Sequence, residues 1–185
     1  MDTVIERAAP KAAVAGSTPV ELQAYHPSWP ARFRVEAEVL RVALGNLAPL
    51  IEHIGSTAVP GLAAKPIIDM MVGVADPAAV DAQADRLANF GYRLVSGIEY
   101  LQPGRRLLVR TVRGVKTHQV HVVEAFGEHW HRLLLFRDML RLDRALADSY
   151  ETLKRRLAEQ HAGSAVLYAN AKSNFVASVL GVTAH

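Results

Sequence analysis

The segment Glu52–Val74, EHIGSTAVPGLAAKPIIDMMVGV, places one carboxylate, Asp69, inside a run over residues 67–74 that is otherwise apolar on both parities. Such a run reads as a strand covered on both faces. A carboxylate there costs several kcal/mol unless it meets a cation, a metal ion or several hydrogen-bond donors. Two readings follow: a buried aspartate satisfied by backbone N–H groups or an arginine, or a ligand for a hard metal ion at a strand end. Upstream, Gly55-Ser56-Thr57 closes a short strand expected over residues 51–55. Glycine lets the backbone approach a ligand closely, and hydroxyls with successive N–H groups bind phosphate oxygens. The Gly-Lys-Ser/Thr ending of a Walker loop is missing, and so is a dinucleotide fingerprint. The loop from Ser56 to Asp69 is long enough to bring the two residues side by side on neighbouring strands.

Moving outward, Trp29, Phe33, Ala37, Leu40 and Leu44 form one helical stripe that Ser28 can cap, Pro30 can open and Gly45-Asn46 ends. Residues 77–90 read as a helix stopped by Gly91. Two β-rich runs, 106–112 and 118–123, are joined by a turn at 113–116. From Glu128 onward the pattern is helical, at about 128–141, 144–160 and 164–180, with the stripe Leu146, Tyr150, Leu153, Leu157 in the middle helix. The expected fold is α+β: a small mixed sheet flanked by helices, with a helical C-terminal portion. Residues 1–18, rich in Ala, Pro and Gly, read as a disordered leader ahead of a single domain over 19–185.

Other residues carry possible chemistry. On the strand His118-Gln119-Val120-His121, Gln119 and His121 share a face and His118 takes the other, so this is no two-histidine clamp. His53 has the parity of Gly55, and His129 and His131 open a helix as surface groups. Lys172 interrupts the apolar face made by Tyr168, Phe175, Val176 and Val179, either snorkelling to water or directed at an anionic ligand over the sheet. Arg105, Arg106, Arg110, Arg113 and Lys116 bracket the hairpin as solvated groups, one of which can face a phosphate.

Composition narrows the field. The chain has 185 residues and a formal charge of +3, which gives no electrostatic case for nucleic acid. It has no cysteine, excluding disulfides, thiolate catalysis and Cys-based zinc sites. With no signal-peptide core and no membrane-length apolar run, the expected setting is the cytoplasm.

The string His53-Ile-Gly-Ser-Thr-Ala-Val-Pro-Gly-Leu-Ala-Ala-Lys-Pro-Ile-Ile-Asp69 resembles the signature of the GrpB family. Tyr25–Trp29 with Phe33, Thr117–Val123, Leu135–Arg141, Tyr150–Lys154 and Tyr168–Phe175 resemble its other blocks. The resemblance implies the nucleotidyltransferase fold of the superfamily that includes DNA polymerase beta. That superfamily places Gly-Ser before Asp-x-Asp on the next strand, with a third carboxylate on a later one. Gly55-Ser56 and Asp69 match, Met71 stands at the second carboxylate, and the third falls at Gln119 or His121.

The candidate catalytic and metal residues are therefore Asp69 and His121, holding one Mg²⁺, Mn²⁺ or Zn²⁺ ion or acting as acid and base. The candidate binding residues are His53, Gly55, Ser56, Thr57, Lys65, Gln119 and Lys172. Ser56 and Thr57 would hold phosphate or carboxylate, while Lys65 and Lys172 would neutralise it. Two-metal nucleotidyl transfer needs carboxylates to hold both ions, so the resemblance implies a divergent small-molecule transferase or ligase rather than an ordinary nucleotidyltransferase. Its alternative is a non-catalytic module that binds a nucleotide or a protein partner, since GrpB domains also occur fused to dephospho-coenzyme A kinase. A purely structural protein would leave Asp69, His121 and Lys172 without a role.

Overall fold

A strand as uniformly apolar as residues 68–74 needs cover above and below, and both layers are present. The computed structural model describes residues 21–47, 49–97, 102 and 104–181, so the leader expected over 1–18 lies outside the described residues. Helix α1 (Trp29–Leu44) precedes β1 (Leu50–Ile54) and β2 (Ile68–Val74). A 3₁₀ helix at Pro77–Gln83 leads into α2 (Ala84–Asn89), then β3 (Tyr92–Leu94), β4 (Arg105–Val112) and β5 (Val115–Glu124). Helices α3 (Glu128–Leu142), α4 (Arg144–Gln160) and α5 (Ala165–Leu180) complete the chain.

The strands form one five-stranded sheet in the order β1-β2-β5-β4-β3. It is mixed: β2 and β5 run parallel, and the other neighbours are antiparallel. The expected neighbour relation of β1 and β2 holds, with Ile54 opposite Asp69. The hairpin turn is tighter than the sequence suggests. Val112 pairs with Val115 across Arg113-Gly114, both at positive φ (51° and 78°), as a two-residue hairpin turn requires. Two further departures are local. Ser28 leaves the α1 N-terminus uncapped because its hydroxyl bonds His26 Nδ1 at 2.7 Å. The 77–90 segment starts as a 3₁₀ helix, where the Asp76 side chain accepts from the Ala78 N–H at 2.8 Å, and is α-helical only from Ala84.

One sheet face buries Met70, Val72, Leu108, Val120 and Val122 against the α1 stripe. The other face packs Ile54, Met71 and Val123 beneath Trp130 of α3. Gly73 is required there, since a Cβ would stand 2.5 Å from a Trp130 ring carbon. A third cluster joins α3 and α4 to the 55–66 loop through Val59, Leu62, Leu140, Ala147 and Tyr150. Among the described residues no helix is long and apolar enough to cross a membrane.

Beneath the sheet, Glu36 of α1 is buried and accepts from the Tyr92 hydroxyl at 2.6 Å and from the Arg110 guanidinium. His118 Nε2 lies 3.8 Å away, and burial pushes its imidazole down to about 4. This tie between α1, β3, β4 and β5 predicts that Glu36→Ala strands the Tyr92 hydroxyl and costs about 2 kcal/mol. Glu36→Gln, which keeps an acceptor, should cost less than half of that. Urea unfolding of both variants, with m-values unchanged, checks the ordering.

Candidate functional site

Asp69 sits on the face of β2 that α3 and α5 cover, and its carboxylate rests against Gly55. Gly55 has φ +69°, and a Cβ on it would stand 2.7 Å from Asp69 Oδ2 and 2.9 Å from Asp69 Cβ. Only glycine serves both the left-handed backbone and this close approach. The same kink alters the expected parity. β1 ends at Ile54, the chain turns into a 3₁₀ turn at Ser56–Ala58, and His53 takes the opposite face from Asp69, beside Met70. His53 is stacked on Phe33 of α1 with ring centroids 4.7 Å apart, and its Nε2 meets Thr57 Oγ1 at 3.0 Å. The structure thus separates His53 from Asp69 and turns the buried Thr57 hydroxyl toward His53. Burial, helped by Arg141 and Arg137, pushes His53 down to about 4.

Two cavities meet at Asp69. The first, of about 180 Å³, is lined by Ser56, Lys65, Lys116, Lys154, Tyr168 and Lys172, with Asp69 and Gln119. The second, of about 320 Å³, continues past Asp69, Gln119 and Lys172 to His121, Arg105, His129 and Arg132 under α3 and α5. Ser56 lines the first cavity and His121 the second, and Asp69 lines both. Met71 is fully buried in the core below, packed with Ile54, Val123 and Trp130.

The charge arrangement is lopsided. Burial raises the Asp69 carboxyl, and Lys172, Lys116 and Lys65 oppose that rise. Yet among the described residues no cation closes to within 4.0 Å of it, and no side chain donates a hydrogen bond to it. Burial lowers Lys65, Lys116 and Lys172 in turn. The Lys65 and Lys172 ammonium groups lie 4.8 and 4.4 Å from the centre of the Tyr168 ring, whose hydroxyl burial pushes up to about 12. Lys172 is therefore no snorkelling lysine at the helix surface; it lines both cavities beside Asp69.

Along the sheet, Arg105 Nη2 stands 2.7 Å from His121 Nδ1, His121 Nε2 stands 3.0 Å from Gln119 Nε2, and Lys116 donates to Gln119 Oε1. A neutral imidazole has one acceptor nitrogen. With Nδ1 taking the Arg105 hydrogen, Nε2–H faces an amide NH₂. Turning the amide instead aims that NH₂ at Lys116. Donors exceed acceptors along this row in either arrangement. His121 is pushed down to about 3 by burial, Arg105, Lys116 and His129, so it stays neutral at physiological pH.

The loop between Gly55 and Pro66 is fixed from above. Arg141 Nε donates to the Ala58 carbonyl at 2.9 Å, Glu151 accepts from the Ala63 N–H at 2.8 Å, and Lys154 donates to the Ala63 carbonyl. Lys154 is buried and held down to about 7, chiefly by burial. Its position was open to sequence reasoning, because it follows Tyr150 by four residues on the apolar face of α4. His129, expected at the surface, is half-buried at the second cavity, since the first turn of α3 lies over the sheet. Arg105, at the open end of the hairpin, and Lys116, beside its turn, also turn inward.

A two-metal set does not fit these residues. Among the described residues Asp69 is the only carboxylate lining either cavity, Met71 is core, and Lys116 and Arg105 flank Gln119 and His121. Among the described residues no three of His, Asp or Glu are grouped to hold a metal ion.

Comparisons with known proteins agree with this architecture. The family model described as "GrpB protein" matches residues 19–181. The glutamate-rich protein GrpB of Alkalihalophilus pseudofirmus is 33% identical over 165 residues, covering 87% of this chain and 94% of that one. The crystal structure of conserved protein GrpB from Enterococcus faecalis superposes with a TM-score of 0.76 at 37% identity, over 86% of this chain and 94% of that one. The Cid1 poly(U) polymerase, in a structure with Mg and 3′-dATP bound, superposes with a TM-score of 0.54 at 13% identity, over 81% of this chain and 49% of that one. The last likeness shows a shared nucleotidyltransferase-type fold and nothing of its chemistry.

Asp69→Asn removes a charge that the folded protein holds without a close partner, so it should leave the melting temperature unchanged or raised at neutral pH. The sign follows from linkage: the carboxyl is raised in the fold above its ordinary 3.8, so stability falls as pH climbs from about 3.8 through the folded value. The gain in Asp69→Asn should therefore vanish when both proteins are melted below that pH. A clear loss of melting temperature at pH 7 would instead make Asp69 a structural acceptor.

Proposed function

This chain belongs to the GrpB family, and we propose that its Asp69 pocket binds a small anionic or nucleotide ligand through Ser56, Lys65, Lys116 and Lys172. One observation carries the reading. Lysines from the 55–66 loop, from β5 and from α5 converge on a cavity beside Asp69, and among the described residues none of them closes to an ion pair with it. Folding holds these like charges together at a cost, and a polyanion returns it through charge-assisted hydrogen bonds. Gly55 and the 3₁₀ turn at Ser56 add backbone N–H groups and a hydroxyl at the mouth.

Within this reading Asp69 is the group that gives or takes a proton from the ligand, because its carboxyl is shifted toward neutrality and it faces both cavities. His121, neutral at working pH, orients Gln119 and Arg105 rather than titrating. The activity that fits is a divergent transfer reaction of a small molecule, or binding without turnover if no second substrate is used. A single divalent ion between Asp69 and the ligand is the second reading, supported by the absence of a close protein partner for that carboxylate among the described residues. That the Cid1 structure contains Mg and 3′-dATP makes nucleotides the first ligands to try.

Calorimetric titration with ATP, UTP and pyrophosphate, with and without Mg²⁺ or Mn²⁺, tests the proposal. A ligand at about 100 times its Kd stabilises the fold by ~2.7 kcal/mol, so a parallel thermal shift should be plain. Lys172→Met and Lys116→Met should each weaken binding about tenfold or more, the worth of one charged hydrogen bond. Equal affinities in the variants, or no response to any of these anions, would overturn it. Binding that appears only with the metal selects the one-ion reading.

A further inference from the structure

The second cavity has a different character from the first. Its floor is the donor-rich row from Gln119 through His121 to Arg105 on β5 and β4. Its ceiling is apolar, made by Leu133 and Phe136 of α3 with Val176 and Leu180 of α5. At the end away from Asp69, Arg105, His129 and Arg132 gather. Two acids lie nearby among the described residues, Glu128, a highly exposed side chain 3.4 Å from Arg132, and the exposed Glu124, which shares a neighbouring surface cleft with Arg105 and His129; neither lines this cavity. Arg105 has no carboxylate partner among the described residues. Its Nε is also the one buried side-chain nitrogen or oxygen atom among them with no hydrogen-bond partner. Its Nη groups meet Gln102 Oε1 and His121 Nδ1, so this half-buried guanidinium, facing further cations, keeps Nε as the donor for an acceptor that arrives with a ligand.

We infer that this cavity is a second binding site, for a small carboxylic acid whose apolar body lies under α3 and α5 and whose carboxylate meets Arg105, Arg132 and His129. This deepens the anion-pocket reading and rests on it for its purpose: the two cavities share Asp69, Gln119 and Lys172, so a ligand in one is presented to a ligand in the other across Asp69. The volume of about 320 Å³ suits a small molecule of this kind. An Arg–carboxylate fork fixes its orientation.

The probe is 4-phenylbutyrate, with neutral 4-phenylbutanol as its control, titrated calorimetrically against the full chain. The expected result is that the acid binds at least tenfold more tightly than the alcohol. Arg132→Gln, on the partly exposed face of α3, should weaken the acid at least fivefold, and Arg105→Gln more. Lys65→Met, which lines only the first cavity, should leave the acid unaffected while weakening pyrophosphate. The inference is overturned if the acid does not bind, if the alcohol binds as well, if Arg132→Gln changes nothing, or if Lys65→Met weakens the acid as much as it weakens pyrophosphate. Failure of pyrophosphate alone, with the acid still bound through Arg132, sinks the anion-pocket reading and leaves this site standing.

Discussion

A carboxylate on the covered face of a central strand is the constraint around which this molecule is arranged. Asp69 can occupy β2 only because the chain beside it has no side chain: Gly55 leaves β1 at positive φ and lets the carboxylate lie against its backbone. The loop that follows cannot then run on as a strand. It folds into a 3₁₀ turn and returns to β2 through Lys65-Pro66, which sets Ser56 and Lys65 at the rim above the carboxylate. Geometry at one glycine thus fixes the position of the acid and of the first groups facing it.

The C-terminal helices hold that loop through its backbone rather than through its side chains. Glu151 and Lys154, one turn apart on α4, take the N–H and the carbonyl of the same residue, Ala63, and Arg141 of α3 takes the carbonyl of Ala58. Buried peptide groups without such partners are costly, so the loop's irregular path is stable only while α3 and α4 are docked. The same docking brings Lys172 of α5 over the sheet and closes both cavities. Fold and pocket are therefore one cooperative unit, with the pocket's electrostatic strain carried by the apolar contacts of Leu62, Leu140, Tyr150 and Phe175.

That strain has a consistent sign. Burial disfavours the charge on Asp69 and on every lysine around it, and the row from Arg105 to Lys116 has more donors than acceptors. Sites built for two divalent ions collect carboxylates. This one collects ammonium and guanidinium groups around a single acid, the pattern of a pocket prepared for an incoming anion.

The sequence by itself determined the longer elements and their order, but not the three-residue strand β3. Apolar periodicity marked α1 and the three C-terminal helices, the double-sided apolar run marked β2, and the odd residues Asp69 and Lys172 stood out against those patterns. Spacing along one strand also separated His118 from Gln119 and His121. Tertiary structure decided what local pattern cannot carry. The kink at Gly55 broke strand alternation and laid Gly55 against Asp69, while His53 kept the opposite face and stacks on Phe33. The docking of α3 drew His129 inward, and the β4–β5 pairing set Arg105 beside His121. Periodicity records which face a residue takes within its own element. Which element covers that face, and which charges it brings, is fixed only when the helices close over the sheet.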